Sequence, residues 1–187
     1  MLALAAVVVT NQFDLATRHL SNHMLNANLQ LSWSHLADTL VLAAGVLATV
    51  LGARLQVDKR RLWLATGTIL ALFFLDEASP LHDHIDKLPG GKLLYTPILL
   101  ALVVCVWYLA NRSDQQPIIG LGLATLFFSF GMHIVGLRIL IPLGYFNWLY
   151  QAGVGVKTGT ELAGLLLVVL GLWRLAHQST SARAQPA

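Results

Sequence analysis

Charge is scarce in this chain, and that scarcity excludes most soluble folds. Only 11% of its 187 residues are Asp, Glu, Lys or Arg, against 56% hydrophobic residues, whereas soluble domains carry about 25% charge. Cysteine is scarcer still: Cys105 stands alone, which excludes an intrachain disulfide and any cysteine-based zinc finger. The net charge is +3 and the pI about 9.3. The basic residues, however, are spread along the chain without interleaved aromatics, so nucleic acid is not a partner. The stretch GVGVKTGT, residues 153–160, lacks the spacing of a phosphate loop and follows no strand. Neither His-Glu-x-x-His nor the Glu-x-x-His pair of helical di-iron sites occurs.

What the chain has is apolar length, with a mean hydropathy of +0.67. Crossing a hydrocarbon core of ~30 Å takes ~20 helical residues. Residues 36–55, 62–81, 93–110 and 117–141 qualify, and 158–176 qualifies with one acid near its start. The expectation is an all-α integral membrane helix bundle of about five transmembrane helices, one domain over residues 1–177, followed by a disordered tail over 178–187. Residues 1–10 would cover only ~15 Å. Without a basic leader they read as a short first span rather than a signal peptide. Residues 11–35 are too polar to cross and too leucine-rich for a free tail, which predicts an interfacial helix with His19 and His23 on one face.

Arg54, Lys59, Arg60 and Arg61 crowd the loop between the first two full spans, so this loop is expected on the cytoplasmic side. Alternate threading adds Arg112, Arg174 and Arg183 to that side and leaves Arg18, Lys87, Lys92, Arg138 and Lys157 opposite. A multi-pass protein of the bacterial cytoplasmic membrane results, with its C-terminus inside and the lipid bilayer as its partner.

The chemistry concentrates in FFLDEASPLHDHID, which brings Asp76, Glu77, His82, Asp83, His84 and Asp86 to the outer end of a span. An ionisable group in hydrocarbon costs about 2.5–3.5 kcal/mol on insertion scales, so adjacent acids there need partners or water. At 1.5 Å per residue, Asp76 lies ~21 Å from the cytoplasmic end of its span and His133 ~24 Å along another. His35, Asp38 and Glu161 begin the two inward-running spans. Four helices are therefore expected to place ionisable groups in one layer. Asp76 and Asp83 would share a face, as would Glu77 and His84, if the helix continued through Pro80.

Carboxylates and imidazoles from facing helices can hold zinc or iron. The candidate ligands are His82, His133, Asp76, Glu77, Asp83 and Glu161, with His35, Asp38, His84 and Arg138 as an additional polar cluster. The same groups suit a proton relay in an ion-coupled transporter or sensor. A haem held by His35, His84 or His133 is a further arrangement open to them. The structural alternative pairs Asp76 or Glu77 with Arg138, and Glu161 with Lys157 four residues earlier, in a subunit whose charges only fix packing.

The run FLDEASPLHD resembles a group of uncharacterised bacterial multi-pass membrane proteins in which a helix ends in Leu-Asp-Glu, four residues, then His and an acid. Asp76, Glu77, His82 and Asp83 occupy those positions here. The Phe13-Asp14 segment leading through Trp33, and the helix containing Glu161, look like further counterparts. Asp83 stands where a Glu is usual, and Gly159-Thr160 where further acids are common. The resemblance implies a site and no reaction. The ceramidase-like membrane hydrolases, whose zinc is held near one membrane face, offer only an analogy, because their His-x-x-x-His pair on the final span has no counterpart here.

Overall fold

An apolar run that must satisfy its own backbone closes its hydrogen bonds within itself. In the computed structural model every regular element among the described residues is accordingly helical. The structure describes residues 33–79, 95–143 and 147–183. The short first span, nearly all of the interfacial segment with His19 and His23, and His82, Asp83 and His84 lie outside them.

Five helices carry the fold: α1 (Trp33–Leu55), α2 (Arg60–Ala78), α3 (Tyr95–Ala110), α4 (Gln116–Gly131) and α5 (Trp148–Arg183). Gln56 ends α1 by leaving helical geometry (φ −116°), while its N–H closes the last turn on the Gly52 carbonyl at 2.8 Å. A 3₁₀ turn, Val57–Lys59, leads into α2. That helix stops at Ala78, because the residue before a proline is pushed out of the α region and Ser79 is extended at φ −130°, ψ 158°. The expected span 62–81 is thus shortened. Since α2 does not reach Asp83 or His84, it cannot set them on the faces of Asp76 and Glu77.

Between α3 and α4 the chain turns through Arg112, at φ 62°. The Ser113 N–H and hydroxyl both donate to the Ala110 carbonyl, at 2.9 Å and 2.7 Å. After α4 come a π-helical turn, Met132–Gly136, one α turn, Leu137–Leu140, and a 3₁₀ turn, Ile141–Leu143. The last helix begins well before the expected residue 158. Asn147 caps it, its Oδ1 accepting the Leu149 N–H at 2.9 Å. The helix then continues through GVGVKTGT for 36 residues, ~54 Å, and reaches Arg183 inside the stretch whose composition predicts disorder.

Among the described residues, three stretches are long and apolar enough to cross a membrane: Ser34–Leu55, Gln116–Gly136 and Trp148–Gln178. Of the other two expected crossings, α2 carries Arg60, Arg61, Asp76 and Glu77 within its 19 residues, and α3 is an apolar helix of 16 described residues.

The chain divides into two compact units. One comprises Met1–Asp38 and Ala124–Leu165, the other Thr39–Leu123 and Leu166–Ala187. In the second, Trp63, Leu70, Leu102, Val106, Ile119 and Leu172 are fully or almost fully buried. Missing side chains permit close approach there: a Cβ on Gly52 would stand 2.5 Å from two ring carbons of Trp63, and one on Gly67 2.5 Å from the Thr49 hydroxyl. Gln56 ties this unit together, accepting the Trp63 indole N–H at 3.2 Å and donating to the Leu175 carbonyl at 2.8 Å. Lys59 donates to the Leu109 carbonyl at 3.2 Å. The buried hydroxyls of Thr49 and Thr66 turn back onto carbonyls of their own helices, which satisfies both donors without a partner from another element.

Candidate functional site

Among the described residues, most of the ionisable groups expected to share a layer belong to the first unit. At the start of α1, Ser34 and Asp38 are buried and His35 is half-buried. The three-residue spacing sets His35 and Asp38 on one side of the helix. His133 sits half-buried in the π turn. A π turn admits one residue more per turn than an α-helix and recurs at functional positions. Gly136 makes room for this one, since a Cβ there would come 2.7 Å from the Met132 sulfur. Arg138 follows in the α turn Leu137–Leu140.

On α5, Lys157 Nζ lies 2.7 Å from Glu161 Oε2, both side chains about three-quarters buried. The four-residue spacing makes this pair local. Backbone polarity is added at the same place. The Lys157 carbonyl accepts the Ser129 hydroxyl from α4 at 2.9 Å and the Thr160 hydroxyl at 2.9 Å. Ser129 is buried, so this bond clasps α4 to α5 away from solvent.

In the second unit, Asp76 and Glu77 are half-buried at the end of α2. The Tyr95 hydroxyl, at the start of α3, donates to Asp76 Oδ1 at 3.1 Å. The described site residues therefore distribute as follows: His35, Asp38, His133, Arg138 and Glu161 in the first unit, and Asp76 and Glu77 in the second. Among the described residues no group of three or more His, Cys, Asp or Glu side chains is placed to hold a metal ion. The Lys157–Glu161 contact is the pair that the structural alternative names.

Residues 1–175 match a family described as a domain of unknown function (DUF8692). The chain belongs to that family. The matched DUF8692 region takes in α1 to α4 and α5 as far as Leu175, so every candidate residue lies inside the family domain. No curated protein and no solved structure matches the chain.

Three participants escape a sequence reading of this DUF8692 domain. Ser129 is a lone hydroxyl in an apolar run, and Tyr95 reads as an interfacial aromatic. The π turn has no compositional signature. Its one sequence signal is the pair of glycines, Gly131 and Gly136, around His133.

Proposed function

We propose that the chain is a multi-pass membrane protein that handles protons or small ions through the polar groups of its first unit: His35, Asp38, His133 and the Lys157–Glu161 pair. The observation that carries this reading is an apolar exposed surface together with polar side chains buried inside. Leu40 is 71% exposed and Ile139 69%, while Ser129, at 2%, Thr66, at 0%, and Asp38, at 5%, are buried. A surface of leucine and isoleucine over a core that is apolar but also holds hydroxyls and a carboxylate suits lipid as the solvent. Ionisable side chains within such helices are costly unless paired or used, and they mark ion and proton paths. The Lys157–Glu161 ion pair at 2.7 Å supplies the pairing, and the imidazoles of His35 and His133 stand in the same unit.

In the proposed topology the turn Arg54–Arg61 and the C-terminal end of α5 face the cytoplasm of a bacterial cell. Supporting this, the Gln56 bond to the Leu175 carbonyl joins those two elements at one end of the second unit, and the Lys59 bond to Leu109 brings the α3 terminus there too. The resemblance to membrane proteins with a Leu-Asp-Glu-x4-His-acid helix end fits the same reading.

The test is proton or cation flux in liposomes loaded with a pH dye. Wild type is expected to conduct with a pH-dependent rate that Glu161→Gln and His133→Gln abolish. Flux equal to that of empty liposomes overturns the relay. Zinc or iron bound stoichiometrically to the purified protein, and lost in His82→Ala, would replace the relay with a metal-dependent membrane enzyme that uses residues beyond those described.

A further inference from the structure

One end of the second unit is strongly basic, and its charges come from three separate elements. The α1–α2 turn contributes Arg54, Lys59, Arg60 and Arg61, the α3–α4 turn Arg112, and α5 Arg174. All six are exposed. Two side-chain bonds fix these elements together, from Gln56 to the Leu175 carbonyl at 2.8 Å and from Lys59 to the Leu109 carbonyl at 3.2 Å. Among the described residues of these turns the only acids are Asp58 and Asp114. The result is a positive platform held by hydrogen bonds.

The surroundings identify the occupant. Val57, within the basic turn, is 63% exposed, and Leu64, one turn along α2 from Arg60, is 50% exposed. Trp107 and Tyr108, just before the α3–α4 turn, are exposed as well. Cations bordered by exposed aliphatic side chains and by indole and phenol rings match the layered chemistry of a bilayer interface, where rings sit at headgroup level and phosphates lie beyond. Nucleic acid would call for aromatics interleaved with the charges rather than below them.

We infer that this basic end docks the headgroup phosphates of anionic phospholipids, with guanidinium groups from α2, the α3–α4 turn and α5 converging on them. Planar guanidinium forks match phosphate oxygens in pairs. The inference rests on the membrane reading above but not on the proposed ion pathway. It assigns the basic residues a ligand as well as a topological role.

The experiment uses the full chain purified in mild detergent and mixed with equal amounts of phosphatidylglycerol and phosphatidylcholine. Retained lipids are counted by native mass spectrometry. Wild type is expected to retain phosphatidylglycerol in preference, and Arg60→Gln/Arg61→Gln/Arg174→Gln to lower its apparent affinity by roughly fivefold per charge removed, on the order of 100-fold in all. Arg112→Gln and Arg174→Gln alone, with unchanged circular dichroism, each lower it by the single step, which keeps the test open if the triple variant misfolds. Equal retention of both lipids by wild type overturns the inference, as does a wild-type preference in the folded variants. Displacement of phosphatidylglycerol by millimolar inorganic phosphate alone also overturns it, because the site would then be one for free phosphate. Alkaline carbonate washing separates the two readings. Release of the protein from washed membranes refutes the membrane assignment itself, whereas retention without lipid preference refutes only the docking.

Discussion

Gly52→Ala tests the packing of the second unit most directly. A Cβ at this position would overlap the fused face of the Trp63 indole, 2.5 Å from both Cε2 and Cε3, where carbon contacts normally settle at about 3.5–4.0 Å. The ring would have to retreat by on the order of 1 Å. It has little freedom to do so, being completely buried and held through its N–H by Gln56. Overpacking of this kind costs about 1–3 kcal/mol, and weakening the Trp63–Gln56 bond adds about 1 kcal/mol. The better helix propensity of alanine returns about 1 kcal/mol. A net loss of about 1–3 kcal/mol follows, or roughly 2–12 °C in Tm for a chain of this size. Thermal unfolding of the purified protein in detergent, followed by circular dichroism, measures it. The companion variant Trp63→Leu makes the assignment specific, since Gly52→Ala should cost little in that background. Gly131→Ala is the control: its Cβ would meet nothing within 4 Å, so it should be neutral or stabilising by up to about 1 kcal/mol. Two results would refute the reasoning: a Gly52→Ala protein that melts at or above the wild-type temperature, or a Gly52→Ala loss as large in the Trp63→Leu background as in the wild-type one.

The remaining expectations concern polar groups and one backbone position. Lys157→Met leaves the Glu161 carboxylate without its cation in a largely buried setting and should cost about 1–3 kcal/mol, whereas adding Glu161→Leu should recover most of the loss; both are read by thermal unfolding. Ser129→Ala removes the clasp from α4 to the Lys157 carbonyl and should lower stability by about 1 kcal/mol. Because Thr160 also bonds that carbonyl, a loss above about 2 kcal/mol would mean that the bond does more than join two helices. Arg112→Gly relieves a left-handed backbone at φ 62° and should raise stability by up to about 1 kcal/mol, provided that the melt is measured without anionic lipid.

Helical class and the main apolar stretches were legible in the sequence because composition alone sets them. The Lys157–Glu161 pair was also readable, through its spacing, whereas the end of α2 fell inside the expected span, where Pro80 pushes Ser79 out of the α region. Other features depend on information that no local window holds. α5 starts at Trp148 because a single Asn147 side chain caps it, and it then absorbs three glycines at 153, 155 and 159 that read as a loop. The Gln56 and Lys59 bonds join residues 119 and 50 positions apart, to carbonyls with no sequence signature. Glycines divided by context. Gly171 meets Ile119 closely, but Gly120 has only an ordinary contact with Trp107 and Gly131 has open space. The polar layer was legible as a set of residues and not as an arrangement, since the stretch carrying His82, Asp83 and His84 follows the point where α2 stops.

The charge order along α2 has an electrical meaning. Arg60 and Arg61 open the helix and Asp76 and Glu77 close it, the reverse of what the helix dipole favours, at a cost of about 0.3–1 kcal/mol per exposed charge. Voltage offers a compensating gain. In the proposed topology, with α2 crossing and its basic end inside, an inside-negative potential attracts both arginines inward and drives both carboxylates outward. Carrying one charge across 100 mV is worth about 2.3 kcal/mol, so inverting α2 with its four charges would cost on the order of 9 kcal/mol at that potential. In the proposed topology an energised membrane thereby favours this direction of α2, and insertion into a de-energised one should yield a mixture of orientations.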